Sequence, residues 1–265
     1  MGLLGDILLQ KSREVAELRR LPSPARPAAL VTRDVTAALR RAKGAPLKLI
    51  AEIKFRSPSA GPLSRALSAG DRAAAYEAGG ASMVSVLTDA KWFEGSPGDL
   101  RAARERIGVP VLCKDFVVDP VQVDHAWAAG ADAVLLIVRC LPEGYEGDPV
   151  RRLVDAANAR GIEPFVEVID EHELERALGA GARVIGVNAR DLDTLEMDPA
   201  RAARVLASIP PDKIAVHLSG LKSQADATQI AASRADAALI GEALMRRDDP
   251  GPLLAELAVG ASKVM

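Results

Sequence analysis

The chain has 265 residues, and 34 Lys and Arg against 36 Asp and Glu leave a formal charge of −2. That balance gives no electrostatic footprint for nucleic acid, and two Trp, two Tyr and four Phe leave little surface for base stacking. At 49% hydrophobic and 26% charged the composition is that of a globular protein, and the length suits one α/β barrel as well as two small domains.

The first nine residues do not read as a secretory signal, because Asp6 interrupts the apolar run and no basic stretch precedes it. Asp6 also replaces the Ser or Thr that myristoylation requires. No run approaches the roughly 18 apolar residues of a membrane span. The two cysteines, Cys113 and Cys140, have neither metal-ligand spacing nor the pattern of a disulfide framework. The expectation is a cytoplasmic protein with both thiols buried in or near strands and no membrane or nucleic-acid partner.

Residues 1–45 read as a helical extension packed on residues 46–265, since they are too short for a core of their own. Leu4, Ile7, Leu8, Val15 and Leu18 fall on one helical face, with Lys11, Arg13, Glu14 and Arg19 placed around it. Leu21-Pro22-Ser23-Pro24 stops that helix, and a second short one is expected over 34–41.

From there, apolar runs of strand length alternate with Ala-rich helical stretches. The runs are 47–54, 82–87, 109–114, 133–138, 162–168, 184–188, 214–218 and 237–240. Intervening segments such as 149–160, 171–179 and 200–208 have helical spacing. Near-continuous apolar strands separated by helices indicate a parallel sheet with a covered outer face. Ala78-Gly79-Gly80-Ala81, Ala129-Gly130-Ala131 and Ala180-Gly181-Ala182 each close a helix and lead into a strand. They recur at roughly fifty residues, or two βα units, as a closed (β/α)8 TIM barrel would give. A doubly wound open sheet is the competing architecture, but no G-x-G-x-x-G follows the first strand.

Barrel chemistry sits at the C-terminal ends of the strands. The first strand carries Glu52 and Lys54, two apart and so on one face. The third ends in Lys114, the fifth carries Glu167, and the sixth ends in Asn188 and Arg190. Two carboxylates, two lysines and an amide converging on one mouth point to a site, because buried charge is costly unless paired or used. Ser219-Gly220 and Gly241-Glu242 close the seventh and eighth strands, where barrels often hold phosphate on backbone amides. His125, His172 and His217 do not group into a metal site.

Together these segments resemble the indole-3-glycerol phosphate synthase family. The resemblance runs through Ile50-Ala51-Glu52-Ile53-Lys54-Phe55-Arg56-Ser57-Pro58-Ser59, Ser85-Val86-Leu87-Thr88-Asp89 and Cys113-Lys114-Asp115-Phe116. It continues in Val166-Glu167-Val168, Ile185-Gly186-Val187-Asn188-Ala189-Arg190-Asp191-Leu192 and Leu239-Ile240-Gly241-Glu242-Ala243-Leu244-Met245, and reaches back to Lys11-Ser12-Arg13-Glu14-Val15. It implies conversion of 1-(2-carboxyphenylamino)-1-deoxyribulose 5-phosphate to indole-3-glycerol phosphate, CO2 and water, a carboxy-lyase step of tryptophan biosynthesis. No metal or organic cofactor is implied, and the only partner expected is the small-molecule phosphosugar–anthranilate substrate, with the chain a monomer or weak homodimer.

By the same resemblance Lys114 is the general acid and Glu167 the general base of the dehydration. Lys54 is a second lysine that contacts substrate, including its phosphate, and shares acid duty. Glu52 and Asn188 orient hydroxyls and hold the lysines. Ser57, Arg190 and Ser219 contact substrate, Phe93 and Phe116 wall the aromatic pocket, and Gly220, Gly241 and Glu242 form the phosphate end. An ammonium acting as acid is expected to have its pKa lowered by burial or a neighbouring cation.

One departure stands out. The family's seventh strand typically ends Ser-Glu-Ser-Gly, whereas this chain has His217-Leu218-Ser219-Gly220. Either the glutamate is dispensable, or His217 or a water substitutes, or the enzyme is weakened. Alternation places His217 away from the barrel interior, against substitution. A catalytically silent metabolite-binding barrel and another phosphosugar isomerase are the alternative readings.

Overall fold

The computed structural model describes residues 2–58, 60–143 and 147–262, so Ser59 of the first motif lies outside the described residues. Eight parallel strands close into a barrel: β1 (Lys48–Ile53), β2 (Met83–Leu87), β3 (Val111–Lys114), β4 (Ala133–Ile137), β5 (Glu163–Val168), β6 (Val184–Asn188), β7 (Ile214–Leu218) and β8 (Ala237–Ile240). β1 pairs with both β2 and β8, which closes the ring. The expected strands are all present, with ends shifted by a residue or two. β3 starts at Val111 because Pro110 has no N–H for the ladder and only its carbonyl pairs, with Val84 N.

Every strand but the start of β1 and the rims of β3 and β7 is buried on both faces, which is why the sequence runs read as continuous rather than alternating. Inside the barrel, Gly186 on β6 makes room for two large neighbours. A Cβ there would sit 2.7 Å from both Phe165 Cε1 and Leu218 Cδ1.

Helix starts are fixed by side-chain caps: Ser68, Ser96, Asp119, Asp148, Asp170, Asp198 and Ser223 each accept a backbone N–H of the first turn. At the other ends, Gly80, Gly130 and Gly181 have φ of +94°, +98° and +88°, the left-handed conformation anticipated from the repeated Ala-Gly pattern. A two-residue hairpin, Arg56–Ser57 against Gly61–Pro62, projects beyond β1 and was not foreseen.

The first helix, Leu3–Leu18, buries Leu4, Ile7 and Val15 as expected, while Leu8 and Leu18 are only partly buried. Lys11 departs from expectation. It is 1% exposed rather than part of the polar surround, because Asp89 and Asp115 meet it beneath the helix and Glu14 joins them from the helix itself. Beyond the helix the chain is tied to the barrel by arginines that donate to carbonyls. Arg26 reaches Trp127 O and Ala131 O, Arg33 reaches Val109 O, and Arg41 reaches Ala231 O and Ala235 O. A short helix, Val35–Leu39, follows its cap Asp34.

Candidate active site

At the C-terminal mouth, Glu52 is 1% exposed and holds both lysines: Oε1 lies 2.6 Å from Lys54 Nζ and Oε2 2.7 Å from Lys114 Nζ. Both cations arrive from inward positions, two residues beyond Glu52 on the first strand's run and at the end of β3. Burial alone would push the Glu52 carboxyl up, but Lys114 and Lys54 outweigh it and hold the group at about 2. Gly241 presses on the same carboxylate from β8, since a Cβ there would fall 2.3 Å from Glu52 Oε1.

A second polar chain lies beside the first. Asn188 Nδ2 donates to Glu167 Oε1 at 2.8 Å, and its Oδ1 accepts from Ser219 Oγ at 2.9 Å and Arg190 N at 2.9 Å. Glu167 pairs in register with Ile137 on one side and Gly186 on the other. Burial raises its pKa above the usual carboxylate range, although Lys114 and the Asn188 hydrogen bond oppose the rise. The mouth therefore holds one carboxylate firmly ionised and one that takes a proton more easily, which is the division acid–base chemistry uses.

Lys114 does not match the lowered pKa expected of it. Desolvation pulls it down, but Glu52 and Glu167 push harder and the net shift is upward. In the free protein it is a held ammonium. Asp115, the next residue, turns to the opposite face and pairs with Lys11 instead.

A cavity of about 270 Å³ opens over this cluster. Glu52, Lys54, Lys114, Arg190, Ser219, Gly220, Gly241 and Glu242 line it together, so eight expected site residues share one space. Glu167 and Asn188 adjoin it through Ser219. Ser57, Phe93 and Phe116 are not among its lining residues. Ser57 is buried in the hairpin and accepts Ala60 N, while Phe93 and Phe116 stack obliquely, 6.1 Å between centroids. The sequence reading missed Lys222 and Arg246 at the β7–β8 side of the cavity. Their signals were present: Lys222 follows Gly220 by two residues, and Arg246 stands four after Glu242, to which it is paired at 2.8 Å.

Leu218 is 3% exposed, points into the barrel over Gly186, and stands opposite Asn188 in the ladder. His217 turns outward into a separate hollow beside Met197 and Leu206, so it does not stand in for a carboxylate in the mouth. No cluster of three potential metal ligands occurs among the described residues.

The family model for indole-3-glycerol phosphate synthase matches residues 4–257. The chain belongs to the indole-3-glycerol phosphate synthase family. Family relatives agree along its length. "Indole-3-glycerol phosphate synthase 1" of Streptomyces coelicolor is 43% identical over 97% of this chain and 91% of its own. The synthase of Mycolicibacterium vanbaalenii is 43% identical over 98% and 92%, and that of Desulfosudis oleivorans 45% over 79% and 78%. Solved structures share the fold at low identity. An N-acetylmannosamine-6-phosphate 2-epimerase from Clostridium perfringens superposes with a TM-score of 0.63 at 15% identity, covering 83% of this chain and 94% of that one. A thiamine phosphate pyrophosphorylase from Pyrococcus furiosus gives 0.62 at 17%, covering 84% and 100%.

Proposed function

We propose that the chain converts 1-(2-carboxyphenylamino)-1-deoxyribulose 5-phosphate to indole-3-glycerol phosphate, CO2 and water. The observation that carries the assignment to these residues is the Lys54–Glu52–Lys114 clamp on the cavity wall, with the Glu167–Asn188–Ser219 chain beside it reaching the same cavity through Ser219. Family membership supports the reaction itself.

In this reading the substrate phosphate lies at the β7–β8 end, against the backbone of Gly220 and Gly241, with Lys222 and Arg246 supplying positive charge. Lys54 faces the same end. The Glu242 side chain is held by Arg246, which leaves backbone amides rather than a carboxylate toward the anion. Arg190, which lines the cavity, serves the anthranilate carboxylate, while Ser57, Phe93 and Phe116 stand outside the lining and shape the β1–β3 rim around it.

Ring closure joins the aromatic carbon bearing the carboxylate to the C2′ carbonyl carbon, and the carbonyl oxygen takes a proton from Lys114. An ammonium clamped by Glu52 donates poorly, so the substrate oxygen must replace Glu52 as its acceptor before the step can run. Departure of CO2 restores the aromatic ring. Loss of the new hydroxyl as water then needs a proton on the departing oxygen, given by Lys54. It also needs a base for the proton that leaves the former C1′ carbon as the ring double bond forms, which Glu167 accepts beside Asn188. The retained lysines and carboxylates support activity despite Leu218.

The test is turnover of this substrate by purified protein, followed by the appearance of indole absorbance and fluorescence. Lys114→Ala is expected to lower kcat by roughly 10²–10⁴, the usual contribution of a positioned acid. Wild-type turnover at background level from folded protein would sink the reading.

A further inference from the structure

We propose that Lys11, on the first helix, is a positioning residue for the reaction, acting through Asp115 and Asp89 on the loops that follow β3 and β2. The proposal rests on the function proposed above and extends it to a residue some distance from substrate.

Lys11 is 1% exposed, and an unpaired cation in such a place would be strongly destabilising. Its ammonium lies 2.6 Å from Asp115 Oδ1, 2.7 Å from Asp89 Oδ2 and 2.8 Å from Glu14 Oε2. Two of those carboxylates come from different strand ends. With Lys11 removed, the fully buried Asp89 and the partly buried Asp115 would face each other as like charges, so the cation is what allows both loops to occupy their present places.

Each loop carries groups at the mouth. Asp115 follows Lys114 directly, and neighbours at a strand end point to opposite faces. Pinning Asp115 outward therefore fixes Lys114 inward, where it meets Glu52. The pin is made in several ways. Thr88 Oγ1 donates to Asp115 Oδ2 at 2.9 Å, Phe116 N donates to Asp115 Oδ1 at 2.7 Å, and Thr88 N donates to Lys114 O at 3.0 Å. Asp89 caps the short helix Ala90–Phe93 by accepting Trp92 N, and that helix carries Phe93 against Phe116. One ammonium thus fixes both the backbone that aims Lys114 and the two aromatic rings beside it.

A purely structural anchor would affect stability alone, whereas a positioning residue changes kcat in protein that remains folded. Lys11→Met, Asp115→Asn and the double variant test this, with circular dichroism and Tm measured beside steady-state kinetics on the same substrate. We expect Lys11→Met to lower kcat at least tenfold while KM moves less than threefold, because the phosphate end is untouched. The double variant is expected to be no slower than Lys11→Met, since both changes break one pathway. Wild-type kcat in folded Lys11→Met overturns the proposal. If Lys11→Met does not fold, Asp115→Asn and Thr88→Val decide it, and kcat within twofold of wild type for both overturns it. Side-chain ammonium NMR separates the two readings. A Lys114 signal that loses its protection in the Lys11 or Asp115 variant supports positioning even if the wild type turns over no substrate, in which case only the proposed function fails. An unchanged Lys114 signal together with unchanged kcat refutes positioning alone.

Discussion

At the scale of single residues, the mouth is organised by the unequal treatment of two buried carboxylates. Glu52 sits between two ammonium groups and stays ionised, while Glu167 has an amide and a more distant lysine and is pushed up by burial. A carboxyl whose folded pKa is raised costs stability above that raised value, and the cost fades as the pH falls to its unfolded range. Glu167→Gln removes the charge but keeps an acceptor for Asn188. It should therefore raise Tm at pH 7, by about 2–4 °C for each kcal/mol relieved at this size, and the gain should shrink toward pH 4. The same variant should lose roughly 10²–10⁴ in kcat. Calorimetric scans across pH, paired with the indole assay, check both halves, and a lowered Tm at pH 7 would contradict the account. Leu218 belongs at this scale too. With an apolar side chain over Gly186, Glu52 is left as the one carboxylate paired with both lysines among the described residues.

At the scale of elements, caps and turns decide where each βα unit stops, and these were the most readable local features. Ala-Gly at the helix ends predicted left-handed residues, and Gly181 has φ +88° with nothing within 4 Å of where a Cβ would stand. Gly181→Ala therefore meets no clash, and its cost is backbone strain alone, about 1–2 kcal/mol. Urea melts should show that loss with an unchanged m-value and unchanged kcat, because the turn lies at the opposite end of β6 from the mouth. The first helix was only half readable. Its apolar stripe predicted the buried face, but Lys11 falls on the same stripe at i+4 from Ile7 and i−4 from Val15. A lysine there ordinarily reaches to solvent. Its burial depends on Asp89 and Asp115, distant in sequence, so no local pattern revealed it.

At the scale of the whole molecule, charge pairing couples the site to global stability. The Glu52 carboxyl moves from an ordinary 4.5 to about 2 on folding, so its contribution is present above about 4.5 and is lost as the pH falls toward 2. The full contribution is on the order of 3 kcal/mol. Denaturant melts of wild type and Glu52→Gln at pH 7, 4.5, 3.5 and 2.5 should show their greatest separation at pH 7 and converge at the acid end. Separation that grows with acidity would reverse the sign and reject the clamp as a stabilising device. No helix among the described residues is long and apolar enough to cross a membrane. Among the described residues one apolar cluster runs from Leu4 on the first helix to Leu257 on the last and takes in residues of both the extension and the barrel.

By itself the sequence determined the barrel and most of its mouth. Apolar runs of strand length, each followed by a helix and a glycine stop, are local signals, and the C-terminal ends of parallel strands follow from them. That rule alone collected Glu52, Lys54, Lys114, Glu167, Asn188 and Ser219 before any contact was known. Only the tertiary structure decided which charges pair. Lys114 is held up by Glu52 rather than brought down toward working pH, and Asp115 turns from its neighbour to Lys11. Phe93 and Phe116 meet each other rather than lining the cavity over the lysines. The reason is distance. Periodicity acts between neighbours in the chain, whereas an ion pair depends on which side chains the closed barrel brings within about 3 Å of each other.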